Sequence, residues 1–153
     1  MKASRALSIA ILAFQIATII LLGLSIQTVI GSLMGSFSAN SFKMTSEILG
    51  TGDMKLRLDA DPVNQGLLGI DLSMKLAVRN FENVTIARNS TMVYIEPGSH
   101  RPFSLDLLIP ADEIRRMNQT GAQGFFELEL GIRTLGGLVG FTNIIGIKGG
   151  IDT

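Results

Sequence analysis

The sequence predicts an all-β soluble domain, an immunoglobulin-like antiparallel β-sandwich, attached to one N-terminal transmembrane α-helix. The first observation is that no charged residue occurs from Ala6 to Phe42 in this chain of 153 residues. A helix of roughly 20 apolar residues crosses a hydrocarbon core about 30 Å thick. The second observation is that short segments after Lys43 alternate apolar with polar residues between Gly, Pro and Asn turns, which is typical of half-buried strands. These patterns predict a cytoplasmic basic tip at 1–5, a transmembrane helix at 6–36, a linker or first strand at 37–50 and an outward-facing sandwich at 51–153.

The apolar N-terminus is open to three interpretations. In the favoured one it is a permanent anchor, because Lys2 and Arg5 would hold the N-terminus in the cytoplasm by the positive-inside rule and leave the sandwich outside. A cleaved secretory signal has an apolar core of roughly 7–15 residues, about half of the present run. In the third, residues 5–8 are similar to the leader of archaeal pilins and archaellins, which would be cleaved after Ala6 and which continue with a long apolar helix and a β-sandwich head. The acidic residue common early in bacterial pilin helices is missing, since Ile11 stands about where it would be.

Gly31 and Gly35 form a G-x-x-x-G spacing near the end of the predicted helix. Small residues four positions apart let helices approach closely in lipid, so these glycines are candidates for a helix–helix interface with other membrane proteins or with copies of the chain. The favoured alternative is that the Gly- and Ser-rich residues 31–38 end the helix and begin a linker.

Period-two alternation predicts the strands of the outer domain, and turn signals separate them. The predicted strands are Met54–Asp59, Ile70–Val78, Val84–Ile86, Met92–Ile95, Phe103–Ile109 and Phe126–Ile132. A short helix is predicted at 111–117. The almost wholly apolar segment 135–147 is too short to cross a bilayer, and we expect a central strand buried on both faces, or else a surface against the membrane or a partner. Six or seven such strands favour the sandwich over a small open barrel.

Composition excludes several classes of chemistry. The absence of cysteine excludes disulfides and thiol chemistry, and the 13 basic and 13 acidic residues form no basic patch of the kind that binds nucleic acid. The single histidine, His100, lies in a turn-like run with no plausible orienting partner, and neither a Gly-x-Ser-x-Gly elbow nor a phosphate-binding loop occurs. We therefore expect no catalytic residue, no cofactor and no enzymatic activity.

Two acidic pairs have structural interpretations that outweigh a metal site or acid–base chemistry. Asp59 and Asp61 could offer oxygen ligands to Ca²⁺, but two carboxylates before a proline favour a plain turn. Asp112 and Glu113 open the predicted short helix, where negative charge is favourable next to the helix N-terminus. No metal site is predicted.

Three N-x-[S/T] sequons begin at Asn83, Asn89 and Asn118. All three fall at predicted turns or strand ends of the outer domain, where a glycan can be accommodated. They are candidate glycosylation sites of a cell-surface glycoprotein, and the alternative is that they are ordinary turn residues.

The run from Asp71 to Ile86 resembles the core of the late-embryogenesis-abundant, water-stress/hypersensitive-response (WHy) β-sandwich family, in which an alternating strand is followed by two closely spaced asparagines and a second strand. Asn80 and Asn83 occupy those places, and Phe81 replaces the usual proline. The segment 103–114 is similar to the later apolar strand and short helix of that family, and the resemblance extends to archaeal membrane-anchored relatives. It implies a non-enzymatic, structural or protein-interaction role at the outer face of the cell membrane, such as an accessory subunit of a membrane complex. The alternative is a pilin-like subunit of a surface filament.

Overall fold

The structure is a computed structural model that describes residues 2–36, 42–80, 82–120 and 124–149. A 35-residue helix, α1 (Lys2–Ser36), precedes seven strands and one short helix. The remaining elements are β1 (Phe42–Ile48), β2 (Met54–Ala60), β3 (Ile70–Arg79), β4 (Thr85–Ile95), β5 (Phe103–Ile109), α2 (Ala111–Thr120), β6 (Gly124–Thr134) and β7 (Val139–Gly149), with a 3₁₀ turn at Leu135–Gly137 before β7.

The strands form two antiparallel sheets, which confirms the predicted immunoglobulin-like sandwich. One sheet has the order β1-β2-β5 and the other β4-β3-β6-β7. On one side of the sandwich the edge strands β4 and β5 are joined by a hydrogen bond from the Asn89 side-chain amide to the Asp106 carbonyl oxygen (2.7 Å). The other two edge strands, β1 and β7, therefore bound the opposite side.

Alternation along the strands separates a buried core from charged outer faces. The larger core cluster lies between the sheets and includes Ile114 and Met117 of α2, while the smaller one includes Val29 of α1 with Ile70 and Ile132. The outer faces carry cross-strand ion pairs at 2.9–3.0 Å, namely Lys55–Asp106, Lys75–Glu129 and Arg79–Glu127. Such exposed pairs contribute little stability, but they mark both outer faces as surfaces that contact water.

The order of the sheet corrects the expectation for the apolar segment 135–147. We expected a central strand buried on both faces, but among the described strands β7 is an edge strand paired only with β6. Its Phe141 and Ile144 side chains are 44% and 59% exposed. Burial on both faces therefore does not explain the apolar composition of β7.

Two segments that were predicted as separate strands form a single strand. The segments expected at 84–86 and 92–95 belong to the continuous strand β4, whose polar middle is an exposed sheet edge. The turn expected before it is present, since the Asn80 side-chain oxygen accepts the N–H groups of Glu82 and Val84 and Asn83 has a positive φ of 63°. The two asparagines thus shape this turn through side-chain to backbone bonding and through tolerance of a left-handed conformation.

Candidate functional site at the helix–sandwich junction

Helix α1 has two parts that differ in what surrounds them. The 29-residue segment Leu7–Gly35 is long and apolar enough to cross a membrane, a property that it shares with signal sequences. From Leu7 to Leu22 every side chain is exposed, whereas Ser25, Thr28 and Ser32 have no exposed surface at all. The change falls at Leu24, so only the last dozen residues of the helix pack against the sandwich.

Small and hydroxyl side chains line the packed face. Ser25, Thr28, Ser32 and Gly35 are spaced by three, four and three residues, so they share one side of the helix. Small residues allow another backbone to approach a helix closely. The loop at 61–69 between β2 and β3 approaches this face at Thr28, Ser32 and Gly35, and β6 and β7 also contact the helix.

Asn64 is the centre of the hydrogen-bond network in this loop and is fully buried. Its side-chain oxygen accepts the Ser32 hydroxyl and the Gly66 N–H (both 2.9 Å), which links the helix to the loop. Its amide nitrogen donates to the carbonyl oxygens of Leu68 (2.8 Å) and Ile95 (3.1 Å). One buried side chain therefore joins α1, the loop and the end of β4, with both ends of its amide satisfied.

Thr28 and Gly66 form the closest approach between helix and loop. The Thr28 hydroxyl oxygen accepts the N–H groups of Leu67 and Leu68, each at 3.2 Å. A Cβ atom on Gly66 would lie 2.4 Å from the Thr28 Cγ2 and 2.5 Å from its Cα, which no real side chain tolerates. Glycine is therefore required at 66 because the loop lies directly on the helix.

The predicted interface glycines also face this loop. A Cβ atom on Gly35 would lie 3.1 Å from the Val63 carbonyl oxygen, and one on Gly31 would lie 3.8 Å from Gln65. The described helix extends to Ser36, within the segment 31–38 that we favoured as the end of the helix. An interface of Gly31 and Gly35 with a second helix stays a prediction, while a loop of their own chain already lies against them.

His100 has an orienting partner, contrary to expectation. Its Nδ1 lies 2.9 Å from the Asp61 carboxylate, and both side chains are exposed. Asp59 lines the same surface cavity as Asp61, and it accepts hydrogen bonds from the Ser104 hydroxyl (2.6 Å) and the Arg57 Nε (2.9 Å) that lower the pKa of its carboxyl. Within the described parts of the chain, no three His, Cys, Asp or Glu residues are grouped so that they could hold a metal ion.

The remaining acidic pair lies at the start of α2. Asp112 and Glu113 occupy the first turn of this helix, as the structural interpretation predicted. A further carboxylate, Asp53 in the β1–β2 turn, accepts the Ala111 N–H at 2.9 Å. This bond, with a second one from Thr51, lowers the pKa of Asp53. The β1–β2 turn therefore caps α2 from outside the helix.

The three sequon asparagines are exposed, and two lie at the end of the sandwich away from α1. Asn83 is in the β3–β4 turn and Asn118 is near the end of α2. Asn89 lies within β4, and its amide nitrogen is already engaged by Asp106. Glycosylation of these residues stays a prediction, and Asn83 and Asn118 offer the more accessible acceptors.

Sequence reasoning missed the residues that build the junction, above all Thr28, Asn64 and Gly66. A signal was present on the helix, because hydroxyl residues at 25, 28 and 32 interrupt an otherwise aliphatic run with helical spacing. It indicates a face that contacts polar groups. Nothing in the pattern identifies the loop that supplies them.

Comparison with known proteins supports the fold and no more. No protein-family model and no curated protein sequence matches the chain, so neither the WHy nor the pilin resemblance is matched by a family. A crystal structure of a protein from Archaeoglobus fulgidus is similar over 74% of this chain and 99% of its own, with a TM-score of 0.50 and 13% identity. A β-glucuronidase from Bacteroides uniformis is similar over 71% of this chain, with a TM-score of 0.49 and 9% identity. The similar region is 13% of that enzyme, so this likeness supports no assignment of activity.

Proposed function

We propose that this chain is a single-pass membrane protein whose immunoglobulin-like domain stands at the outer face of the cell membrane in a structural or protein-interaction role, without catalysis. Its partners are the lipid bilayer and neighbouring membrane proteins or further copies of itself. The observation that carries the proposal is the abrupt change along α1 from an apolar surface exposed on all sides to a packed face of small polar residues.

The length of the exposed part supports a membrane span. Leu7–Leu24 comprises 18 residues, which at 1.5 Å each is about 27 Å, close to the hydrocarbon thickness of about 30 Å. A helix that is apolar on all sides is stable only when lipid or protein surrounds it. The packed part begins directly after this length, so the sandwich would begin where the hydrocarbon ends.

Charge supports the orientation. Lys2 and Arg5 precede the span, and basic residues at a span end are retained in the cytoplasm. The charged outer faces of both sheets suit water on the other side of the membrane, and the accessible sequons at 83 and 118 lie at the end of the sandwich remote from α1.

Single-cysteine labelling in intact cells tests this topology on a clean background, because the chain has no cysteine. We expect the Gln119→Cys variant to react with a membrane-impermeant maleimide in intact cells, since Gln119 is exposed on α2. The Ser4→Cys variant should react only after the cells are lysed. The reverse pattern, or release of the unlabelled chain from membranes by carbonate, contradicts the proposal.

A pilin-like filament subunit is the second candidate, and the same exposed helix favours it. In a filament, copies of the chain would surround the apolar segment in place of lipid, after cleavage between Ala6 and Leu7. Intact-mass measurement of the purified chain separates the two candidates. Retention of residues 1–6 excludes the filament route, whereas a mature chain beginning at Leu7 supports it.

A further inference from the structure

Two apolar loop tips project at the end of the sandwich from which α1 emerges. Leu67, in the loop at 61–69, is 61% exposed, and Leu138, at the β6–β7 turn, is 85% exposed. The two loops lie at the same end, because Ile70 at the start of β3 pairs with Thr134 at the end of β6. The sandwich thus presents leucines to solvent at its junction end, away from the charged outer faces of its sheets.

The junction fixes the height of Leu67 along the helix. The Leu67 N–H donates to the Thr28 hydroxyl, so the tip of this loop lies beside Thr28. Thr28 is four residues beyond Leu24, which places it about 6 Å farther along the helix axis. A bilayer of about 40–45 Å in total adds roughly 5–8 Å of headgroup layer on each side of its hydrocarbon core. With the span ending at Leu24, Leu67 falls within the headgroup layer.

The β6–β7 turn, which carries Leu138, also lies beside the packed part of the helix. The next residue, Val139, packs against the core cluster that contains Val29, one position beyond Thr28. Charged residues at this end have both signs, with Arg101 and Arg133 offset by Asp61 and Glu96. The net charge of this end therefore does not favour binding to anionic lipid. Contact with a bilayer would depend on the two apolar loop tips.

We propose that Leu67 and Leu138 insert into the boundary between headgroups and acyl chains of the outer leaflet, so that the sandwich rests on the lipid surface at two points beside its own span. This inference rests on the proposed membrane span. The contact is continuous with the span, because the helix that leaves the bilayer is hydrogen-bonded to the loop that re-enters it.

Single tryptophans report the depth of each position, because the chain contains no tryptophan. We would reconstitute the full-length variants Leu67→Trp and Leu138→Trp in phosphatidylcholine vesicles with or without bromine on the acyl chains, since bromine quenches only tryptophans that it can reach. Phe14→Trp, in the exposed apolar helix, is the control for the span. Leu108→Trp is the matched surface control, because Leu108 is 54% exposed on the outer face of β5 at the opposite end of the sandwich.

The expected result is loss of emission in brominated vesicles at positions 14, 67 and 138, with emission at 108 unchanged. If position 14 is quenched while 67 or 138 behaves like 108, the two-point contact is wrong and the span stands. If position 14 is not quenched either, the span itself is wrong and this inference falls with it. Far-UV circular dichroism of each variant verifies that the sandwich is folded.

Discussion

Replacement of Asn64 by alanine is the most informative test of the junction, because this side chain joins three elements at once. The variant removes hydrogen bonds to Ser32, Gly66, Leu68 and Ile95 in a site without exposed surface. The Ser32 hydroxyl can turn to a carbonyl one turn back in its own helix, so its loss is partly compensated. The Gly66 N–H and the two carbonyl oxygens lose a partner inside the protein.

We expect the loss to total about 3–5 kcal/mol of unfolding free energy, since each buried polar group left unpaired costs about 1–3 kcal/mol. For a domain of roughly 110 residues, 1 kcal/mol corresponds to about 4 °C, so the melting temperature should fall by about 12–20 °C. In this variant the hydrogen bonds that Thr28 accepts from Leu67 and Leu68 still link the loop to the helix.

The assay is thermal unfolding of the full chain in detergent micelles, followed by far-UV circular dichroism. The matched control is Asn89→Ala, which removes an exposed asparagine that donates to the Asp106 carbonyl oxygen and accepts the Ser90 N–H, and it should cost less than about 1 kcal/mol because both bonds are exposed to water. If Asn64→Ala melts as high as Asn89→Ala, the buried network does not hold the helix on the sandwich.

Three further predictions concern the approach of loop to helix, the cap of α2 and the strand register. Gly66→Ala should lower the free energy of unfolding by about 1–3 kcal/mol, because its methyl group collides with the helix backbone. Gly50→Ala is the control, because Gly50 has open space around it and the variant should keep its stability. Thermal unfolding of both variants measures the difference. The depressed pKa of Asp53 means that its contribution to stability is complete above the ordinary value of 3.8 and is lost as the pH falls through the lowered pKa. Asp53→Asn should therefore flatten the acid side of the curve of melting temperature against pH, and an unchanged acid limb contradicts this origin. Leu107→Ala should lower the free energy of unfolding, measured by chemical denaturation, by about 2–5 kcal/mol, because Leu107 is buried. Leu108→Ala should lower it much less, because the next residue of β5 faces the opposite, exposed side. Equal losses would mean that the strand register is wrong.

The strands that sequence predicted well are those whose two faces meet different environments. The strand β3 alternates between buried apolar and more exposed residues over its first six positions, and its period of two predicts it directly. The middle of β4 was missed, because Arg88, Asn89 and Ser90 are all exposed on an edge strand and no alternation remains to be read. Strand β7 was found but placed wrongly, since apolar composition does not reveal how many neighbours a strand has.

The junction could not be predicted for a different reason. The partners of Thr28 and Ser32 lie 32 to 40 positions away along the chain, and no local pattern pairs them. The glycines at 31 and 35 have low helix propensity, in keeping with a helix predicted to end at 36. The pattern did not show that the 61–69 loop lies against both glycines.

The continuity of α1 into the sandwich has a mechanical consequence in the proposed topology. A span of about 27 Å adapts to thicker or thinner bilayers mainly through small changes of tilt and local thickness. Because the last three turns of α1 are bonded to the 61–69 loop, a change in the tilt of the span would rotate the sandwich by the same angle. In membrane regions of different thickness, the sandwich would therefore turn different sides toward a neighbouring membrane protein.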